Sequence, residues 1–203
     1  MKIEEAPNEN FSRPRDPPAD ELGHFGMSTL LASELARLAE ALDNESLGTT
    51  EIPLEAMAQK IARNLGVKAD EVAILGVSTR WRHLHFLVPQ ALKNVGFIPL
   101  SSTSALAART VRDNRPEINN NFSSVRHATV FEGVKAATTT GEIIQKIISA
   151  PVVCDEKVVG VMQISRKGPT NADAGPDFTS DDLAKVQTLC RPLGKLVRRL
   201  AGE

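Results

Sequence analysis

Ser149-Ala150-Pro151-Val152-Val153-Cys154-Asp155-Glu156-Lys157-Val158-Val159-Gly160-Val161-Met162-Gln163-Ile164-Ser165 is the stretch on which the architecture turns. Two runs dense in valine and isoleucine flank a polar pair, Asp155-Glu156, and β-branched residues favour the pleated, half-buried surface of a strand. The pattern predicts strands over 150–153 and 158–165, joined as an antiparallel hairpin. One residue breaks the apolar run. Gln163 sets an amide among Val159, Val161, Met162 and Ile164, and a buried amide must find hydrogen-bond partners.

Toward the C-terminus, residues 168–177 read as a Gly/Pro/Asp loop. A helix is predicted from Thr179, with Asp182 three residues on to complete a variant capping box. Its apolar stripe runs through Leu183, Val186, Cys190, Leu193, Val197 and Leu200, and Pro192 lies inside it. Toward the N-terminus, residues 121–148 are irregular in pattern. Glu117 to Asn120 reads as a short edge strand and Pro116 as a helix stop. The serines of Ser101-Ser102-Thr103-Ser104 are placed to cap a helix running to about Arg112. Phe97 to Leu100, Arg82 to Val88 and Glu71 to Ser78 read as three further strands.

Two helices are predicted before these strands. Leu31, Leu35, Leu38 and Leu42 mark one, with Ser28 or Thr29 as its cap. Pro53 suits the first position of the other, which carries Leu54, Met57, Ala58, Ile61 and Leu65 and stops at Gly66. Residues 1–26 hold four prolines and little apolar surface, the composition of a flexible lead-in. The expected organisation is a tail over 1–26 and one domain over 27–203. The fold class expected is α+β: a mainly antiparallel sheet of about six strands, terminal helices on one face and an irregular lid on the other.

Composition removes several functions. Lys and Arg number 24 against 25 Asp and Glu, so the basic surplus of a dedicated nucleic-acid binder is missing. Aromatics make up 4%, with one Trp and no Tyr, a poor supply for base stacking. No apolar run is long enough to span a membrane, and a cytoplasmic location is expected. Cys154 and Cys190 alone can build neither a disulfide framework nor a four-ligand zinc site. Neither a Walker loop nor a Gly-x-Ser-x-Gly elbow occurs.

Three stretches carry a family resemblance: Ala108-Arg109-Thr110-Val111-Arg112-Asp113-Asn114-Arg115-Pro116-Glu117-Ile118, the hairpin, and Phe178-Thr179-Ser180-Asp181-Asp182-Leu183. In order and spacing the chain from about residue 28 to 203 resembles the GAF domain family. The cyclic-nucleotide-binding branch of that family has a longer signature, which Lys167, Phe178 and Asp182 match and Arg166 and Leu183 do not. Cyclic GMP is therefore not assigned, and Lys167 is expected to pair with Asp182, tying the loop to the last helix.

The resemblance implies a stand-alone sensory or regulatory module that binds a small molecule or dimerises without catalysis. The positions it implies as ligand-binding are Ile74, Leu106, Ala107, Gln163 and the lid residues Arg126, His127 and Phe131, within a lid of residues 121–138. The ligand, and any cofactor, stay unidentified. A homodimer built on the terminal helices and an output partner protein in trans are expected; nucleic acid and membrane are not. The alternatives are a ligand-free interaction module and an enzyme related to the free methionine sulfoxide reductases. The latter use cysteines upstream of the hairpin, and here no cysteine precedes Cys154.

Two features carry other chemistry. Cys154 adjoins Asp155-Glu156, whose charges raise a thiol pKa, and Cys190 falls on an apolar stripe. In the cluster Arg80, Arg82, His83 and His85, a strand sets the imidazoles two apart on one face. With His127 they offer metal ligands; a ligand-facing wall and a solvated or interface face are the other readings. No metal is assigned.

Overall fold

A computed structural model describes residues 19–43, 54–94, 96–124 and 143–202. Two helices lead, α1 (Ala19–Asp43) and α2 (Leu54–Leu65). Strands β1 (Val72–Ser78), β2 (His83–Val88) and β3 (Phe97–Pro99) follow. Next come α3 (Leu106–Asp113) and β4 (Glu117–Asn119), then β5 (Ile143–Cys154), β6 (Lys157–Gly168) and α4 (Ser180–Leu200). The strands form one sheet in the order β3-β2-β1-β6-β5-β4, every neighbouring pair antiparallel.

The hairpin is the longest ladder. Asp155 and Glu156 both take left-handed backbone angles, φ 48° and 62°, as a two-residue turn matched to strand twist requires. Both strands are longer than the sequence pattern suggests. β5 begins at Ile143, inside the stretch read as irregular, because Gln145 and Lys146 interrupt the apolar run yet are buried. Each is satisfied: the Gln145 amide donates to the Gly168 carbonyl at 3.0 Å and accepts from Ser123 Oγ at 2.6 Å. Lys146 Nζ meets the Gly175 carbonyl at 2.6 Å and Asp177 at 2.7 Å.

One face of the sheet is covered by α2 and α4, with α1 packed onto them. Period-two alternation sends Val72, Ile74, Ile148, Ala150, Val152, Met162 and Ile164 into this layer, against Leu35, Ile61, Val186, Leu189, Leu193 and Leu196. The stripes expected for these helices are buried here through Leu31, Leu35, Met57, Ala58, Ile61, Leu65, Val186, Cys190, Leu193 and Val197. Gly194 lets α4 lie on β5 so closely that a Cβ there would strike the Val153 carbonyl. Thr179 caps α4 as expected: its hydroxyl accepts from Asp182 N at 3.2 Å, and Asp182 accepts from Thr179 N at 2.9 Å. The first helix begins earlier than expected, at Ala19, so residues 19–26 of the proline-rich lead-in are helical.

The other face carries α3. Its first turn is not capped by the serine cluster. Ala105 is the N-cap, and Ser102 Oγ instead accepts from Ala105 N at 3.1 Å in the preceding turn. Asn114, at φ 46°, ends α3 in the left-handed conformation just ahead of Pro116. Arg109 then grips Glu117 with two hydrogen bonds, 2.6 and 2.8 Å, fastening α3 to the edge strand.

Candidate functional site

Beneath α3 the sheet is mostly apolar: Leu75, Val77, Leu84, Phe86 and Val161 pack against Ala107 and Ala108. Leu106 packs separately with Phe122 and Ile147. Within this dry layer runs a chain of three buried polar side chains. Gln163 lies opposite Ser149 in the β5–β6 ladder, and its Nε2 donates to Ser149 Oγ at 3.2 Å. Ser149 Oγ lies 2.7 Å from Thr110 Oγ1, which donates to the Leu106 carbonyl at 3.0 Å. The chain therefore climbs from the sheet to the first turn of α3.

It is not fully satisfied. Gln163 is 2% exposed, and its Oε1 has no hydrogen-bond partner among the described residues. A buried acceptor left without a donor costs about 1–3 kcal/mol. Gln163 thus presents an unmet amide carbonyl on the α3 face.

The seven positions proposed as ligand-binding divide into three groups. Leu106, Ala107 and Gln163 share the α3 face. Ile74 does not: it pairs with Met162, neighbour of Gln163, and points into the helix layer on the far side of the sheet. Leu75, Val77 and Ala73, which pairs with Gln163, are the β1 residues on the α3 face. Arg126, His127 and Phe131, and the lid beyond Ser124, lie outside the described residues. Sequence reading missed Ser149 and Thr110. Their signal was available: a serine inside Ile147-Ile148-Ser149-Ala150, and a threonine four residues after Leu106 on one helix face.

The expected pairing of Lys167 with Asp182 is not formed. Lys167 Nζ, buried, reaches Asp70 Oδ2 at 2.8 Å and the Asp70 carbonyl at 2.7 Å, and Lys167 N donates to Glu71 at 2.6 Å. Asp182 is engaged in its own cap and lies 3.9 Å from Lys185. The sheet register decides this, because β1 and β6 are neighbours and residues 69–71 lead into β1 beside the end of β6.

Both thiols are buried. Burial raises the Cys154 pKa, with the Asp155 charge and hydrogen bond adding to it and Arg198 and Lys195 opposing. Burial alone pushes Cys190 up to about 12. Such thiols are poor nucleophiles at neutral pH.

His83 and His85 sit together on the helix-facing side of β2, rings 6.1 Å apart and edge to face. Burial lowers the His85 pKa, with the positive charges of His83 and Lys93 adding to the effect. Among the described residues, no group of three or more His, Cys, Asp or Glu could hold a metal ion. No helix among them is long and apolar enough to cross a membrane.

The chain matches the GAF domain over residues 51–196. Its fold is similar to that of a GAF domain from an Acinetobacter phosphoenolpyruvate-protein phosphotransferase: 17% identity, 90% of this chain and 95% of that one covered, TM-score 0.58. It is similar also to the free methionine-R-sulfoxide reductase of Neisseria meningitidis in complex with its substrate, at 15% identity, 94% and 98% coverage and TM-score 0.58. A third likeness is to the A. aeolicus nlh2 GAF domain in an inactive state, at 14% identity, 87% and 98% coverage and TM-score 0.52. No curated protein matches the chain.

Proposed function

The chain belongs to the GAF domain family, and on that premise we propose that it is a sensory or regulatory module binding a small molecule on the α3 side of its sheet. It performs no chemistry on that molecule, works as a homodimer, and passes its signal to a partner protein in trans. The observation that carries this reading is the Oε1 of buried Gln163, which has no partner among the described residues. A ligand N–H or O–H placed there satisfies the acceptor and completes the Gln163–Ser149–Thr110 chain. Leu106 and Ala107 supply apolar contact beside it, and Arg126, His127 and Phe131 are the lid positions assigned to the same ligand.

An enzymatic role related to the free methionine sulfoxide reductases is the alternative. Two things favour the non-catalytic reading: no cysteine precedes Cys154, and both cysteines are buried with raised pKa values. Dimerisation is assigned to the outer helical layer, where α1 packs along α4 and Leu30 stands exposed on α1.

Native mass spectrometry of the purified protein tests the reading. Wild type should appear as a dimer carrying a retained small mass, and Gln163→Leu as a dimer without it. Losing one buried hydrogen bond of about 1–3 kcal/mol weakens binding roughly five- to a hundred-fold. A retained mass unchanged by Gln163→Leu, or none in wild type, would defeat the ligand assignment. A monomer at tens of micromolar, roughly the range in which standard interfaces hold, would defeat the dimer.

A further inference from the structure

We propose that the sheet carries a second small-molecule site on its opposite face: a cleft at the end of α4 that takes a planar aromatic ring bearing a carboxylate or a phosphate. The cleft measures about 560 Å³ and lies between the β1–β2 turn, the start of β2 and the residues that follow α4. Arg80, Trp81, His83 and His85 line it with Ala201 and Gly202, and among the described residues its lining holds no carboxylate. It shares no residue with the Gln163 site, and β1 and β2 separate the two.

Charge selects the ligand's sign. Arg80 and the neighbouring Lys93 bring positive charge to the cleft, and the two imidazoles add N–H donors, with no counter-ion among the described residues of the cleft wall. An anion seated among them relieves that crowding, and imidazole and guanidinium N–H groups are strong donors to carboxylate and phosphate oxygens. The C-terminus of α4 contributes partial negative charge. Its effect is blunted, since Ala201 N and Gly202 N turn back onto the Val197 and Arg199 carbonyls and the last turn holds Arg198 and Arg199.

Exposed aromatic surface selects the ring. Trp81 is 66% exposed and Phe97 58%, the two large aromatic side chains left open among the described residues. They flank the cationic cleft: the Arg80 guanidinium lies 4.9 Å from the indole centroid, and Phe97 backs His83 at 4.8 Å between ring centroids. Such faces recover the area they lose to water by stacking a planar partner. The wall is set by backbone geometry. Arg82 at φ 54° tightens the turn, and Trp81 N donates to Ser78 Oγ at 3.4 Å. Gly76 lets Ala201 and His85 close in on β1, since a Cβ there would come within 2.9 Å of Ala201 Cβ and 3.4 Å of His85 Cε1.

Trp81 is the chain's one tryptophan, and no tyrosine is present, so tryptophan emission reports on this cleft alone. The full chain should be titrated with benzoate, phenyl phosphate, benzamide and inorganic phosphate. Benzoate or phenyl phosphate is expected to change the emission saturably, and whichever binds identifies the acid. Neutral benzamide and ringless phosphate should bind at least about ten-fold more weakly. Arg80→Ser and His85→Gln, each with an unchanged far-ultraviolet circular dichroism spectrum, should lose about ten-fold in affinity or more, whereas Gln163→Leu should bind as wild type. The proposal is overturned if neither aromatic anion gives a saturable change, if benzamide binds equally well, or if both cleft variants bind as wild type.

Discussion

Two neighbouring residues on one strand, Met162 and Gln163, face opposite sides of the sheet and meet opposite rules. Met162 enters a layer built by three helices in which the buried side chains are almost all aliphatic. Gln163 enters a layer where a polar chain runs through the core and ends on an unmet acceptor. Around Met162 the helix face is closed upon itself. The α3 face holds one polar valence in reserve, at an energetic disadvantage that a purely structural core would avoid.

The largest effect on this contrast should come from the closed face. Leu193, on α4, is fully buried, and Leu193→Ala should cost about 2–5 kcal/mol by urea denaturation, because a rigid, close-packed layer collapses poorly onto a cavity. A loss under about 1 kcal/mol would show that this layer is looser than its burial implies.

A reciprocal pair sharpens the comparison further. Met162→Gln places an amide among aliphatic groups and should cost about 1–3 kcal/mol. Gln163→Met removes the orphaned acceptor while Ser149 keeps Thr110, and stability should move by less than about 1 kcal/mol in either direction. Equal penalties for the two substitutions would erase the proposed difference between faces.

The smallest effect concerns pH. The His85 pKa lies below its ordinary 6.5 in the folded chain, from burial first and then from His83 and Lys93. The folded state therefore binds fewer protons than the unfolded one, and this stability is full above 6.5 and lost as pH falls through the lowered pKa. Thermal melts from neutral to mildly acidic pH should show a slightly steeper decline for wild type than for His85→Gln. Parallel declines would mean that the imidazole is not constrained by its surroundings.

How far these faces are legible in the sequence depends on the element. The hairpin announces itself, since β-branched runs around Asp155-Glu156 fix both strands and turn, and the α4 cap is written in Thr179 and Asp182. The side of the sheet to which β1 sends Ile74 is not legible. Nearly every residue from Val72 to Ser78 is buried, so the alternation that marks a one-sided strand is erased. The early start of β5 is masked for a related reason, because Gln145 and Lys146 look like loop residues until their partners Ser123, Gly168 and Asp177 are brought close. Lys167 shows the limit of reasoning along the chain. Its partner, Asp70, is 97 residues away and adjacent only through strand order. Gln163 could be singled out as an anomaly, and Ser149 and Thr110 stand out in their apolar surroundings too, but that the three join into one chain emerges only once the ladder sets serine against glutamine.

The two-residue turn between β5 and β6 bears on the order in time in which the chain assembles. Twelve-residue strands joined by so short a connection form the largest sheet pairing at the smallest loop-closure cost, whereas β1 must close a loop of many tens of residues to reach β6. The nucleus is therefore expected in the C-terminal half, with α4 settling on the hairpin and the N-terminal helices arriving late. Kinetic measurements on Val161→Ala and Leu35→Ala should then give a φ-value well above one half for the first and near zero for the second; the reverse ranking would put the nucleus elsewhere. During synthesis, β1, β2 and β3 would emerge first, with only one another to pair with, and wait for the hairpin that completes the sheet.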